Sequence, residues 1–298
     1  MKKNCLVLCG LIAVGFLCAC GAPSDAVGAV TSAPVPSVSA QTAAPGKTET
    51  ITYTVEQTIQ EDDTAAEDGT ILAKYHYELP TLRAFGTGGA ELTQAKTDAE
   101  QRALDAAATF NRQFQKWAAD TDFNEVADWA KEAFAQNPEL FRDSSGFYDL
   151  ELTYTSWQTD HLVSIQGQYY SNTGGAHPNT VLMAWNFDLD AGAFLEPTSL
   201  ADDAQAFSSA VTAEIIRQAD ANAAQQGLDP TSAYWENYQE VAADWPSYAV
   251  SFDKSGMTVR FSQYEMACYA AGPQTFTIPN SFLASYLSEY GRTLLDIS

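Results

Sequence analysis

The chain holds three histidines, the side chains best suited to bind a transition metal or move a proton near neutral pH: His76, His161 and His177. They are far apart in the sequence, and none forms the His-x-x-x-His spacing that places two ligands on one face of a helix. A zinc enzyme needs several such ligands converging on one ion. We therefore predict no metal site and no cofactor.

The segment Asp188-Leu189-Asp190-Ala191-Gly192 is similar to the start of a calcium-binding loop. Such a loop needs a glutamate at its twelfth position, where this chain has Ser199. We interpret the segment as a turn between two strands.

Cys268 is the one cysteine outside the N-terminal leader, so an intrachain disulfide in the body is excluded. No neighbouring residue marks an activated thiol, and we expect a small buried or half-buried side chain. Glu265, Asp188 and Asp190 could pair as the two carboxylates of a glycoside hydrolase, but only their separation in space decides that. We predict that the protein is not an enzyme and keep a hydrolase as an alternative.

Two segments combine tyrosine and glycine in a way that is typical of contact surfaces. The first, Tyr169 to Pro178, reads YYSNTGGAHP, and the second, Phe261 to Pro273, reads FSQYEMACYAAGP. Because two glycines precede His177, we expect it at a loop tip or strand edge, where it either pins the loop by a hydrogen bond or contacts a ligand. The tyrosines could equally be buried in a sheet. The ligand-binding candidates are Tyr169, Tyr170, Asn172, Gly174, Gly175, His177, Tyr264, Glu265, Tyr269 and Gly272.

Together, and with Trp185-Asn186-Phe187-Asp188 between them, these segments resemble the extracellular region of the bacterial lysozyme-binding anti-sigma factor. They also resemble the region that precedes the catalytic domain of a peptidoglycan deacetylase. The resemblance covers residues 149 to 290, and residues 74 to 129 resemble the companion domain that usually comes before it. It implies an exported module with a cell-wall-associated partner, lysozyme being the most concrete candidate. We expect the module by itself, without a sigma-binding segment or a deacetylase domain.

The N-terminus has the layout of an export signal. Lys2 and Lys3 precede an apolar stretch from Cys5 to Phe16, which is shorter than the about 20 residues of a membrane span. The following Leu-Cys-Ala-Cys resembles the lipobox, in which lipid is attached to the cysteine that becomes the first residue. We predict lipidation of Cys20, which would hold the exported protein on the outer face of the cell membrane.

Composition indicates a folded body and limits its partners. Hydrophobic residues make up 46% of the chain, enough for one large core or two. The net charge of −23 becomes more negative when Lys2 and Lys3 leave with the leader. Such a field disfavours nucleic acid and steers a cationic protein toward the surface, although acidity can also serve solubility alone. We predict no nucleic-acid partner.

Helical periodicity occurs from Leu92 to Trp117, from Phe123 to Phe134 and from Asp203 to Gln226, with Asn137-Pro138 and Gly227 expected to end the last two. Strand-like alternation occurs on both sides of an acidic turn at residues 61–69, in several segments between residues 150 and 187, and around a turn at residues 253–256. A short terminal helix is expected at residues 282–287.

This order of elements predicts an α+β fold, with helices packed on largely antiparallel sheets, in two consecutive α+β subdomains. The predicted domains are a lipoprotein signal peptide at 1–19, a flexible Ala/Ser/Pro/Thr tether at 20–50, an N-terminal α+β domain at 51–147 and a C-terminal α+β domain at 148–298.

We predict a non-enzymatic surface binding module whose partner is a cationic protein such as lysozyme. The module would act as a decoy for this partner, as its inhibitor or as its sensor. The alternative is a module that binds peptidoglycan or another cell-wall glycan and positions wall enzymes. A groove lined by Trp157, Trp185 or Trp235 would favour that alternative.

Overall fold

The computed structural model describes residues 50–142 and 146–298. The predicted signal peptide, the lipidation site Cys20 and the tether up to residue 49 lie outside the described residues. In the part of the chain that is described, no helix combines the length and the apolar character needed to cross a membrane.

A six-stranded sheet forms the centre of the fold, with its strands in chain order across the sheet. The strands are β1 (Thr52–Ala65), β2 (Ile71–Phe85), β3 (Tyr148–Gln158), β4 (Leu162–Asn172), β5 (Asn179–Asp188) and β6 (Ala193–Phe194). All neighbours pair antiparallel except β2 and β3, which pair in parallel from Ala73 with Tyr148 to Tyr77 with Leu152. A parallel pair needs a long crossover connection, and three helices supply it.

The crossover contains α1 (Asp98–Asp120), α2 (Phe123–Gln136) and α3 (Glu139–Arg142). The hydroxyl of Thr97 accepts a hydrogen bond from the Glu100 amide and caps α1. The predicted apolar stripe of α1 is buried against the sheet, where Phe110 and Phe114 contact Phe187 and Trp185. Asn137 ends α2, as predicted.

A second, three-stranded antiparallel sheet contains β7 (Ala249–Asp253), β8 (Gly256–Phe261) and β9 (Gln274–Pro279). Around it lie α4 (Ala204–Gln225), α5 (Pro230–Ala233), α6 (Tyr238–Ala243), α7 (Asn280–Leu283) and α8 (Glu289–Leu295). Gly227, with φ of 71°, ends α4 as predicted. The fold class is confirmed: α+β, with helices packed on largely antiparallel sheets.

Polar side chains join the two sheets. The outer edge of β7 would otherwise leave its main-chain groups unpaired, but the amide of Phe252 donates to the Ser164 hydroxyl at 2.8 Å and the Asn186 side-chain amide donates to the Val250 carbonyl at 2.8 Å. Ser164 in turn donates from its hydroxyl to the side-chain oxygen Oδ1 of Asn186. The edge of the small sheet is therefore satisfied by buried side chains of the large one.

Arg260 adds a second tie between the sheets. Its guanidinium crosses from β8 and donates to the main-chain carbonyls of Gly167 and Met183, at 3.1 and 2.8 Å. Burial lowers the pKa of Arg260 to about 10, so the side chain remains charged at neutral pH.

Two details differ from the sequence-based expectation. The acidic turn is shorter than predicted, because β1 continues to Ala65, pairs with β2 and places Glu61 against His76 at 2.9 Å. The prediction of a single terminal helix is wrong, because α7 ends at Leu283 and α8 begins at Glu289. The cause is Ser288, whose hydroxyl bonds the Leu200 carbonyl and caps the new helix.

The predicted division of the body between residues 147 and 148 stays a prediction. The large sheet pairs β2, which precedes that boundary, with β3, which follows it. The described residues lie within one compact unit that spans Thr48–Ser298.

Candidate functional site

The two tyrosine- and glycine-containing segments meet in space. One forms the tip of the β4–β5 hairpin, and the other connects β8 with β9. His177 Nε2 lies 2.9 Å from the Tyr264 hydroxyl, and its ring stacks on Tyr269 with centroids 3.8 Å apart and planes 21° apart. Trp235 joins them by donating from Nε1 to the Tyr264 carbonyl at 3.1 Å. We call His177, Trp235, Tyr264 and Tyr269 the aromatic cluster.

The hydrogen bonds of His177 define its tautomer. Its Nδ1 lies 3.1 Å from the Pro178 carbonyl, which can only accept, so Nδ1 carries a proton. In this tautomer, Nε2 accepts a hydrogen bond from the Tyr264 hydroxyl. Both ring nitrogens are occupied, and the ring is fixed between the two loops. If His177 pins the loop, its partner is Tyr264, which lies 87 residues further along the chain.

The loop that carries Tyr264 is held in an uncommon conformation. Tyr264 has φ of 68°, in the left-handed region that residues with a Cβ rarely adopt. The carboxylate of Glu265 accepts a hydrogen bond from the Ser262 amide and closes the turn. Burial raises the pKa of Glu265, and the hydrogen bonds from Ser262 oppose this increase in part. Strained backbone of this kind concentrates at functional sites, where it fixes side chains in advance.

Strand alternation separates the two adjacent tyrosines of β4. Tyr169 points toward the helices, where its ring lies 5.4 Å from Trp117 and 6.4 Å from Tyr77 in the core. Tyr170 lies on the opposite face, and its pKa is raised by burial first and then by Asp149 and Tyr269. Tyr170 is thus a neighbour of the aromatic cluster, whereas Tyr169 is brought into the core.

The remaining candidates shape the two loops. Asn172 accepts from the amide of Gly174 at 3.5 Å. Gly174 has φ of 76°, and a Cβ there would lie 2.7 Å from the Tyr148 hydroxyl, so the hairpin tip requires glycine. Gly175 is exposed at the tip, and Gly272 ends the short turn that follows Tyr269.

The three tryptophans that the sequence suggested for a glycan groove are distributed over three places. Trp185 packs on Gly167 and Phe114 in the core. Trp235 belongs to the aromatic cluster, a position that no local pattern in the sequence could reveal. Trp157 lines a groove at the other end of β4.

Among the described residues, the polar contacts of His177 are with Pro178 and Tyr264, not with Glu265 or Asp188. The burial expected for Cys268 is wrong: the side chain is exposed, because it lies on the surface loop that leads into the turn at Tyr269. Asp188 forms the predicted turn and accepts from the amides of Asp190 and Ala191.

Residues 50–142 and 146–298 contain no group of three or more His, Cys, Asp or Glu side chains that could hold a metal ion.

Residues 198–281 match a family model described as "Protein of unknown function (DUF3298)". This range contains the second segment, with Tyr264, Glu265 and Tyr269, and begins after the first. The family description assigns no activity to the matched region.

Among solved structures, the chain is similar to a member of the DUF3298 family from Bacteroides fragilis, with 14% identity over 83% of this chain and 97% of that one, and a TM-score of 0.52. A DUF3298 family protein from Pseudomonas aeruginosa PAO1 is 16% identical over 80% and 95% of the two chains, with a TM-score of 0.49. At these identities the likeness concerns the fold alone. No curated protein matches the sequence.

Proposed function

We propose that this protein is a non-enzymatic binding module at the cell surface, that lipid on Cys20 anchors it, and that the aromatic cluster captures a cationic protein. Lysozyme, or another basic hydrolase that acts on the cell wall, is the most concrete candidate. One observation carries the proposal: the two segments that resemble the lysozyme-binding region meet in one exposed, hydrogen-bonded cluster.

The cluster has the properties of a binding hot spot. Tyr264 and Trp235 are 51% and 40% exposed, which is high for side chains of this size. Aromatic side chains dominate binding energy at protein interfaces when they are held rigidly, because little conformational entropy is lost on binding. Here the rings of His177 and Tyr269 are stacked and Trp235 is tied to the main chain, so the surface is formed before a partner arrives.

Charge supports a basic partner. The chain carries a formal net charge of −23, which attracts a cationic protein over a distance of about one Debye length and accelerates association. Next to the cluster, Asp149 and Glu151 act on Tyr170, so negative charge continues up to its border. Binding should therefore combine a salt-sensitive approach with a salt-resistant aromatic contact.

An anchored module of this kind can act as a decoy, as an inhibitor or as a sensor that passes its state to another membrane protein. These three roles share the same first step, capture of the partner at the aromatic cluster. A test of the proposal therefore begins with binding.

Calorimetric titration of the protein with an animal-type lysozyme, at low salt and at 150 mM salt, measures that step. We expect a one-to-one complex that weakens with salt but persists, and that loses about tenfold or more in affinity in Tyr269→Ala and in His177→Ala. Trp129→Ala is the matched control, since Trp129 is 46% exposed on α2, outside the cluster. Absence of binding, or binding that salt abolishes and neither cluster variant changes, contradicts the proposal.

The anchor is tested separately. In a bacterial host, we expect the protein in the membrane fraction and Cys20→Ser in the medium or in the precursor form. Processing of Cys20→Ser to the same mature, membrane-bound form as the unmodified protein would contradict lipidation at Cys20.

A further inference from the structure

A groove of about 940 Å³ opens at the end of β4 opposite to the aromatic cluster. Its wall includes Tyr53 of β1, Trp157 of β3, Asp160 in the β3–β4 turn, Lys254 in the β7–β8 turn, Asn280 and Glu289. The volume is at the upper end of the about 300–1,000 Å³ that small-ligand pockets have. The groove can therefore hold a ligand longer than a single sugar or amino acid.

Two aromatic side chains give the groove rigid apolar surface. Trp157 is half-buried and packs against the core beneath the small sheet, and Tyr53 is half-buried against the core of the large sheet. The main chain of Tyr53 is also tied to β3, because its carbonyl accepts from the Gln158 side chain at 2.9 Å. Rings held in this way lose little entropy when a ligand packs on them.

Three charged side chains of the wall are free to bind, whereas others, such as His161 and Arg292, already have partners. Within the described residues, the ammonium of Lys254 and the carboxylates of Asp160 and Glu289 form no hydrogen bond or ion pair. Asn280 donates from Nδ2 to the Lys254 carbonyl at 3.1 Å, which orients its side-chain oxygen as an acceptor. The groove thus offers fixed and mobile donors and acceptors of both charge signs.

This combination selects a chemical class of ligand. An apolar ligand would leave the charged groups without water or partners, which is costly. The wall carries Asp160, Glu289 and Asp296 but also Lys254 and Arg292, so an anion would meet carboxylates and a cation would meet basic side chains. A neutral oligosaccharide satisfies both features, because its rings have apolar C–H faces for Trp157 and Tyr53 and hydroxyl groups at their rims for the polar side chains.

We infer that this groove is a binding site for a neutral oligosaccharide, separate from the aromatic cluster. The groove begins before the first residue of β4 and the cluster lies beyond its last. Trp157 lies opposite Ser164, so eight residues of strand, about 26 Å, separate it from the last residue of β4. Both sites can be occupied at once, and the inference does not rest on the proposed capture of a cationic protein.

The test titrates the full-length protein with a tetrasaccharide of N-acetylglucosamine and follows tryptophan fluorescence and heat. We expect saturable binding that Trp157→Ala weakens by about tenfold, since a large part of the apolar contact is lost. Because Trp157 also packs on the core, Lys254→Ala is the second variant. Its side chain is exposed and forms no hydrogen bond or ion pair with the described residues, so a weaker affinity there reports lost ligand contact.

Trp129→Ala and Trp235→Ala are the matched controls, because both remove an exposed tryptophan outside the groove. We expect both to bind the tetrasaccharide like the unmodified protein, and circular dichroism to show the same fold in all variants. The inference is overturned if no saturable binding occurs up to about 10 mM, the weak end of specific recognition. It is equally overturned if Trp157→Ala and Lys254→Ala bind with unchanged affinity.

Discussion

Tyr264 offers a test in which two substitutions separate backbone strain from side-chain contact. Its φ of 68° costs a residue with a Cβ about 1–2 kcal/mol. Glycine adopts this conformation freely but loses about 0.5–1 kcal/mol more conformational entropy on folding. Tyr264→Gly should therefore be more stable than Tyr264→Ala by about 0.5–1 kcal/mol.

Both substitutions remove the same phenol. Loss of the hydrogen bond with His177 costs about 0.5–1.5 kcal/mol of stability. The cost should lie at the lower end of this range because the site is exposed. We expect the free energy of unfolding of Tyr264→Gly to stay within about 1 kcal/mol of that of the unmodified protein. The free energy of unfolding of Tyr264→Ala should be lower than that of Tyr264→Gly. Any partner that binds the aromatic cluster should lose the same affinity in both variants, about 2 kcal/mol or thirtyfold.

Urea unfolding followed by circular dichroism measures the difference in stability, and thermal unfolding should show a gap of about 2–3 °C for a body of this size. Trp129 supplies the control, since it lies in the interior of α2. There alanine should be more stable than glycine by about 1 kcal/mol, the reverse order. If Tyr264→Ala equals or exceeds Tyr264→Gly in stability, the left-handed backbone at this position is refuted.

Two further predictions concern the groups that hold the site in place. Asn186→Ala should destabilise the protein by about 2–4 kcal/mol in urea unfolding, because the buried Val250 carbonyl and the Ser164 hydroxyl each lose a partner. A loss of stability below about 1 kcal/mol would show that the two sheets do not depend on this contact. Burial raises the pKa of Glu265 above its ordinary 4.5, so the folded state binds its proton more tightly than the unfolded chain. Stability from this group is present below pH 4.5 and is lost as pH rises through the raised pKa. We therefore expect the free energy of unfolding to fall less between pH 4 and pH 7 in Glu265→Gln than in the unmodified protein, and an identical fall in both would contradict the burial of this carboxyl.

Local features of the sequence were sufficient to predict most helices and hairpins. The repeat of three to four residues along α1 defines its buried face, Asn137 and Gly227 end their helices, and Asp253 to Gly256 turns β7 into β8. These signals act within one or two turns of chain, where backbone conformation and capping depend on the residues themselves. The α+β class follows from the order of these elements.

The candidate site was predicted in its parts and not in its assembly. The sequence pointed to both loops because tyrosines in a glycine-containing loop are typical of contact surfaces, and it left open whether His177 pins a loop or contacts a ligand. That His177 meets Tyr264 and stacks on Tyr269 follows only from the packing of two sheets. No local pattern places Trp235 beside them.

The sequence by itself determined the helix and strand segments, the acidic character and the residue types that form the two loops. The tertiary structure alone decided the parallel pairing of β2 with β3, the inward direction of Tyr169 and the outward direction of Tyr170, and the groove beside Trp157. The physical reason is the sequence distance over which the interactions act. Periodicity and capping are set by neighbours along the chain. Strand pairing and the choice of buried face depend instead on how the whole apolar surface is removed from water.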